Sequence, residues 1–287
     1  MTSPLRTPAV AGRFYPGRAE DLLREIQGYT SPTATESDSE INFAIGCIAP
    51  HAGYVYSGPV AGALYTTLLI PPTCVILCPN HTGKGHPLAI MANTTWQTPL
   101  GEIEADEELA RQLMHHFPAL AEDSAAHRYE HAIEVQLPFL QQRWETQPAT
   151  GAEKFRIVPI AIGTRDFEVL RQLGEALAEV VTSQPGQQRK KVLIIASSDM
   201  NHYESDEITR VKDQKAIDRV LALDARGLWD VVMQEEISMC GFGPSVAMLT
   251  AANLMGATHA KLIRYATSGD VSGDYDSVVG YAGITIL

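Results

Sequence analysis

No stretch of this chain approaches the ~20 consecutive apolar residues that a membrane-crossing helix needs, and Met1 to Pro16 carries no long apolar core of the kind a secretory signal has. Four cysteines in 287 residues are too few for a disulfide framework. A reducing cytoplasm is therefore the expected location. Basic residues are also scarce: 22 Lys and Arg stand against 34 Asp and Glu, a formal net charge of -12. That balance repels phosphates, and no Lys/Arg stripe offsets it, so neither a nucleic acid nor a membrane surface is an expected partner. The one short basic cluster, Arg189 to Lys191, reads as a solvated face.

What the chain does have is a regular alternation of short apolar runs and helical patterns. The expected strands are Ile41–Ala49, Thr73–Cys78, Pro87–Ala92, Phe155–Ile162, Lys191–Ser197, Ala260–Thr267 and Val278–Leu287, with Trp96–Ala105 as a turn or hairpin. The expected helices are Ser57–Leu69, Asp106–His116, His131–Trp144, Asp166–Thr182, Asp206–Leu223, Ala225–Glu235 and Pro244–Met255. Buried apolar strands alternating with helices imply an α/β domain, its central sheet largely parallel or mixed and covered by helices on both faces. Three stretches rich in Ser, Thr, Pro, Gln and Glu (Thr30–Glu40, Glu145–Glu153 and Ser183–Lys190) read as surface excursions within one domain spanning residues 1–287. There is no internal repeat.

In open α/β sheets, ligands bind beyond the C-terminal ends of the strands. Three expected strands each release a histidine there: His51 in Pro50-His51-Ala52-Gly53-Tyr54, His81 in Pro79-Asn80-His81-Thr82-Gly83, and His202 in Ser198-Asp199-Met200-Asn201-His202-Tyr203. A single loop histidine is usually a surface residue. Three at three strand ends point to a shared metal site, since imidazole is the commonest protein metal ligand. Asp199 and Cys240 are the candidate anionic ligands. Cys240 lies in Ser238-Met239-Cys240-Gly241-Phe242-Gly243-Pro244, a loop leading into a helix whose N-terminus is expected to favour the thiolate. Cys47, Cys74 and Cys78 fall inside apolar strands and read as small buried hydrophobes.

In Glu130-His131-Ala132-Ile133-Glu134, the two acids suit the start of a helix. His131 and Glu134, three apart, would also share one helix face and could line the crevice behind the metal ligands. Ser268 to Ser277 lacks the acidic spacing of an EF-hand and reads as a rim loop.

Taken in order, Pro8 to Pro16, Ala49-Pro50-His51-Ala52-Gly53-Tyr54, Pro79-Asn80-His81, Glu130-His131 with Glu134, Ser198-Asp199 through His202-Tyr203, and Cys240-Gly241 resemble the MEMO family, component B of the prokaryotic AmmeMemoRadiSam system. The resemblance covers almost the whole chain. It implies a fold like that of the class III extradiol dioxygenases, which are non-haem Fe(II) enzymes. It also implies His51, His81 and Cys240 as metal ligands, with Asp199 and His202 standing beside the metal; there His202 would serve as the acid/base group and Asp199 would support it or ligate weakly. Iron (Fe2+) is the implied cofactor, with copper or zinc as alternatives, and radical SAM and AMMECR-type proteins are the implied partners. Cys240 stands where the extradiol enzymes have a carboxylate, a departure from the facial triad. Three functions compete: a metal-dependent redox or oxygenase-like protein; a module that holds an anionic or aromatic small-molecule or peptide group in the same crevice, with Tyr15 and Tyr54 beside the histidines; and metal-free chemistry at Cys240 with a histidine and Asp199.

Overall fold

A computed structural model describes residues 4–30, 43–147, 154–184 and 192–287. In chain order the elements are β1 (Leu5–Arg6), α1 (Ala19–Thr30), β2 (Gly46–Ala49), α2 (Tyr54–Thr66), β3 (Thr73–Pro79), β4 (Leu88–Ile90), β5 (Thr95–Thr98), β6 (Gly101–Ala105), α3 (Glu107–His116), β7 (Ala121–Glu122), a 3-10 turn (Glu134–Gln136) and α4 (Leu137–Thr146). The second half holds β8 (Arg156–Ile162), α5 (Phe167–Ser183), β9 (Val192–Ser197), β10 (His202–Glu204), α6 (Asp206–Leu221), α7 (Ala225–Gln234), α8 (Phe242–Leu254), β11 (Ala260–Thr267), α9 (Gly269–Ser272) and β12 (Val278–Ile286).

These form one mixed sheet with the order β1-β5-β6-β8-β3-β9-β2-β12-β10, as the alternating pattern predicts. Its centre, β8-β3-β9-β2, is parallel throughout. β12 closes it antiparallel against β2 and carries β11 on its other side. The centre is parallel because its strands are apolar on both sides. In β9, Ile194 and Ala196 enter the core beneath α3, α5 and α8, while Leu193 and Ile195 enter the core beneath α1, α2 and α4. The same alternation puts Cys47, Cys74 and Cys78 in the second core, fully buried.

This period of two decides what happens where the strands end. Ser197 continues the α2/α4 face, and its hydroxyl meets Ala132 and Gln136. Ser198 continues the opposite face, and its hydroxyl accepts the Gly241 amide at 3.0 Å. Gly241 has to be glycine: a Cβ there would stand 2.4 Å from the Ser197 carbonyl oxygen and from Ser198 Cβ. That close approach brings the loop before α8 onto the end of β9.

Several expectations need correcting. The first strand is shorter than Ile41–Ala49: Phe43 to Ile45 are not strand, and Ile41 and Asn42 lie outside the described residues. The expected helix from His131 starts only at Leu137. Pro138 has no N–H to give the Glu134 carbonyl, so it is tolerated only in the first turn, and the residues before it form a 3-10 turn instead. The expected surface excursions lie mostly outside the described residues, as does the basic cluster Arg189 to Lys191; at their described ends, Thr30, Glu145, Thr146 and Ser183 complete helices. Two amphipathic features escaped the sequence reading: α1, which buries Leu22 and Ile26 one turn apart, and the two-residue strand β1. The acidic loop after β11 is a short helix in which Asp270 accepts the Thr267 amide and pairs with Arg210.

Candidate metal centre

His51 follows β2, His81 follows β3, and Asp199 and His202 follow β9, so the crevice lies at the C-terminal ends of adjacent parallel strands. The chain reversal before α4 adds a fourth imidazole, His131. Donor atoms of His51, His81 and His131 all lie within 4.8 Å of one another, a group that could hold a metal ion. The His51 ring stands nearly perpendicular to the other two, with centroids at 5.1 Å from His81 and 5.4 Å from His131. His81 and His131 lie face to face, 4.9 Å apart and inclined by 17°.

The hydrogen bonds behind the rings set their tautomers. Ser197 Oγ donates its only proton to the Ala132 carbonyl at 2.7 Å and accepts from Gln136 Nε2 at 2.9 Å. Its remaining lone pair faces His51 Nδ1 at 3.0 Å, so that nitrogen is the N–H donor and Nε2 carries the free lone pair. Gln136 is itself held by the Tyr65 hydroxyl and the Pro50 carbonyl. His81 Nδ1 donates to Glu130 Oε1 at 2.9 Å, which leaves its Nε2 open as well. Glu130 is completely buried and also accepts the backbone amides of His81, His131 and Ala132. A carboxylate or hydroxyl that holds a histidine through Nδ1 is the usual support behind a metal ligand.

The charges follow from these contacts. Burial, followed by the charges of His81 and His131, holds His51 well below the ordinary imidazole range, so it is neutral and able to ligate. Burial works against His81 too, but the hydrogen bond and charge of Glu130 carry it above its ordinary value, so an ion binding at Nε2 competes with a proton there. For Glu130 burial alone would raise the carboxyl, and the opposing hydrogen bond and charge of His81, with the Ala132 amide and His131, bring it down to about 2. Burial raises Asp199 against the amides of His51 and Ala52. Its carboxylate accepts the His51 amide at 2.7 Å and stands 4.0 Å from His51 Nε2.

Cys240 Sγ stands 3.2 Å from His51 Nε2 and 3.7 Å from the Asp199 carbonyl. One expectation about it is reversed. Burial, followed by the negative charge of Asp199, pushes the Cys240 thiol well up, so without a cation nearby it is a thiol and not a thiolate. Cys240 also precedes Gly241, the cap of α8, and so lies outside the helix's first turn. A bound cation inverts this balance, because a coordinating thiol loses its proton outright.

His202 is part-exposed at the mouth. Its amide donates to Ser238 Oγ at 2.7 Å and its Nδ1 donates to the Ser238 carbonyl at 3.0 Å, so Nε2 is free to take a proton. The other residues expected beside the histidines are used differently. Glu134 accepts the amides of Ala9 and Val10 and the Tyr15 hydroxyl, and pairs with Arg6. Tyr54 donates to the Val135 carbonyl at 2.7 Å. The carboxylate that reaches the rings is Glu130. Its signal in the sequence, an acid next to His131, was readable also as a helix start. Ser197 and Gln136 gave no signal beyond being polar in apolar surroundings.

A family model described as Memo-like protein matches residues 6–285. This chain belongs to the Memo-like family. A MEMO1 family protein of Methanopyrus kandleri is 43% identical, with 97% of this chain and 98% of that protein aligned. One from Methanosarcina mazei is 44% identical over 98% of this chain and 99% of its own length, and one from Caldivirga maquilingensis is 42% identical over 97% and 98%. All residues of the Memo-like crevice described above lie inside the matched span. Among the described residues no helix is long and apolar enough to cross a membrane.

Proposed function

We propose that this Memo-like chain holds one transition-metal ion between His51, His81 and Cys240 and works as a redox or oxygenase-like protein. The supporting observation is the pair of fixed tautomers: Ser197 and Glu130 take the Nδ1 protons of His51 and His81, and both Nε2 lone pairs are left for an ion. The family resemblance chooses Cys240 as the third ligand. His131, whose donor atom lies within 4.8 Å of those of His51 and His81, packs face to face on His81 and is read as a neighbour of the ligands. The 3.2 Å between Cys240 Sγ and His51 Nε2 suits two ligands of one ion, which lie roughly 3–3.5 Å apart when bonds are ~2.0 Å to nitrogen and ~2.3 Å to sulfur.

Two imidazoles and a thiolate accept iron, copper or zinc; the family resemblance selects iron. A bound ion supplies Lewis acidity and, for iron or copper, electrons for exchange with O₂. The chain's own groups do the rest. His202 Nε2 receives or returns a proton at the mouth while Ser238 fixes its ring. Asp199, buried beside His51, compensates positive charge. Phe14, packed on His131 with centroids 4.8 Å apart, screens one side from water.

The test is metal content after anaerobic purification. The wild type is expected to carry about one ion. His51→Ala, His81→Ala and Cys240→Ser lose it, while His131→Ala keeps affinity within about a hundredfold. Equal metal in wild type and in the His51 and His81 variants sinks the reading. A second reading, a module that holds a ligand without turnover, is favoured by the thiolate standing where a ring-cleaving enzyme has a carboxylate. Tight metal binding with no O₂ consumption in the presence of reductant would select it.

A further inference from the structure

Among the described residues, three other than glycine have a positive φ: Tyr203 at 63°, Leu223 at 56° and Glu236 at 51°. Leu223 and Glu236 each stand two residues beyond the end of a helix, α6 and α7, where a left-handed residue commonly terminates the helix. Tyr203 has no helix before it. It sits inside β10, where the pairing with β12 shifts register between His202 and Glu204. A bulky side chain in this conformation is a true outlier, and bulges beside active sites often re-aim a side chain.

Nothing buried repays the strain. The Tyr203 ring is 79% exposed. The strain is held by its neighbours instead. His202 pairs with Val279 and is tied twice to Ser238; Glu204 pairs with Val278 and accepts from Asn201 Nδ2; and the Asn201 amide donates to Asp213. Both sides of the bulge are pinned, and the residue between them is pushed out. Its ring comes to rest 5.6 Å from the His202 ring, inclined by 54°. Phe14 stands across the site, on His131.

The geometry points to Tyr203 as a ligand-contact residue: its ring is the wall against which the planar, uncharged body of a molecule held at the histidines packs. This rests on the reading of the histidine cluster as a ligand site and adds the residue that selects for the part of the ligand beyond its metal-binding head. Stacking on a tyrosine ring is worth roughly three- to tenfold in affinity.

The test uses two probes with the same metal-binding head, benzohydroxamate and acetohydroxamate, titrated into iron- or zinc-loaded protein. Wild type is expected to prefer the aromatic probe. Tyr203→Ala should lose that preference by about three- to tenfold, with acetohydroxamate affinity and metal content unchanged, and Tyr203→Phe should keep it. An unchanged preference in Tyr203→Ala overturns the proposal. A second arm needs no metal. Tyr203→Asn, which tolerates a positive φ, should raise the melting temperature by about 2 °C or more. A fall would show that the ring supports the fold and would equally overturn the proposal. Wild type that takes up no ion removes the metal reading alone, and a preference of the metal-free protein for benzoate over acetate, kept in Tyr203→Phe and lost in Tyr203→Ala, then decides Tyr203, its absence overturning the proposal.

Discussion

Glu130 and Glu134 are four residues apart, both fully buried, and they do opposite work. Glu130 faces the crevice and spends its oxygens on His81 and on the amides of the turn that carries His131. Glu134 faces away and gathers Arg6, Tyr15 and the amides of Ala9 and Val10, fastening the N-terminal segment to the turn before α4. Each carboxylate has about four donors, so each is tolerated in the interior. The difference lies in the donors. Two of those at Glu130 come from a residue whose other nitrogen is open to the crevice, whereas every donor at Glu134 is internal. A buried carboxylate marks a working site when its partners are themselves unfinished.

The largest effect should come from the finished side. Glu134→Ala leaves the Arg6 guanidinium buried without its carboxylate, and breaking such a pair typically costs ~3–5 kcal/mol. Urea unfolding should show that loss, while the fraction that remains folded binds metal as the wild type does. Loss of metal affinity in that folded fraction would erase the distinction between the two glutamates. Asp213 is a third buried carboxylate, beneath the His202 loop, and it has fewer donors: the Tyr265 hydroxyl at 2.7 Å and the Asn201 amide at 2.8 Å. Burial pushes it up to about 7. The folded pKa lies above the unfolded one, near ~3.9, so the native state holds the proton more tightly. Stability from this group is full below about pH 4 and falls as pH rises through 7, by at most roughly 4 kcal/mol. Asp213→Asn should flatten that slope between pH 5 and pH 8. A slope of unchanged size would assign it elsewhere.

The unfinished side should respond in binding. Glu130→Gln keeps the shape but replaces one carboxylate oxygen with an NH₂ that repels the donors facing it. Metal affinity should fall about 10–100-fold, the usual range when a group that orients a ligand is changed. Glu130 also has the opposite pH sense to Asp213. With its carboxyl held at about 2, its stabilisation is full above the unfolded pKa and is lost as pH falls toward 2. Chelator competition on the folded variant checks the first effect, and acid unfolding checks the second.

Much of this was legible in the chain. The parallel centre follows from uninterrupted apolar runs such as Val192 to Ala196, and the crevice from three histidines released at strand ends. What stayed hidden depends on geometry that spacing does not carry. His131 and Glu134 were expected to share a helix face, but Pro138 moves the helix start to Leu137. His131, three residues before the 3-10 turn, faces the crevice, while Glu134 at its start faces the N-terminal knot. Cys240 looked like a helix-start thiolate, because its burial against Asp199 arises only when Gly241 lets α8 close on β9. Tyr203 owes its position to a bulge created by pairing with β12, a strand from the far end of the chain.

The smallest effect gives the finest test of the comparison. Tyr15 is buried, and its hydroxyl donates to Glu134 Oε1 at 2.7 Å, while its ring packs against Tyr54 with centroids 5.4 Å apart. Tyr15→Phe removes one donor of four from Glu134 and leaves the ring contact intact. A hydrogen bond to a charged group contributes ~1.5–3 kcal/mol, and the low end applies because Arg6 and two amides still satisfy the carboxylate. The melting temperature should therefore drop by a few degrees. Metal affinity should stay within about threefold, since none of the rings in the crevice is held by Tyr15; losing a group that orients a ligand would cost at least about tenfold. A roughly tenfold loss of metal affinity in this variant would mean that the turn from Glu130 to Gln136 moves as one body, transmitting strain from Glu134 to His131 and Glu130, and the knot would then belong to the site.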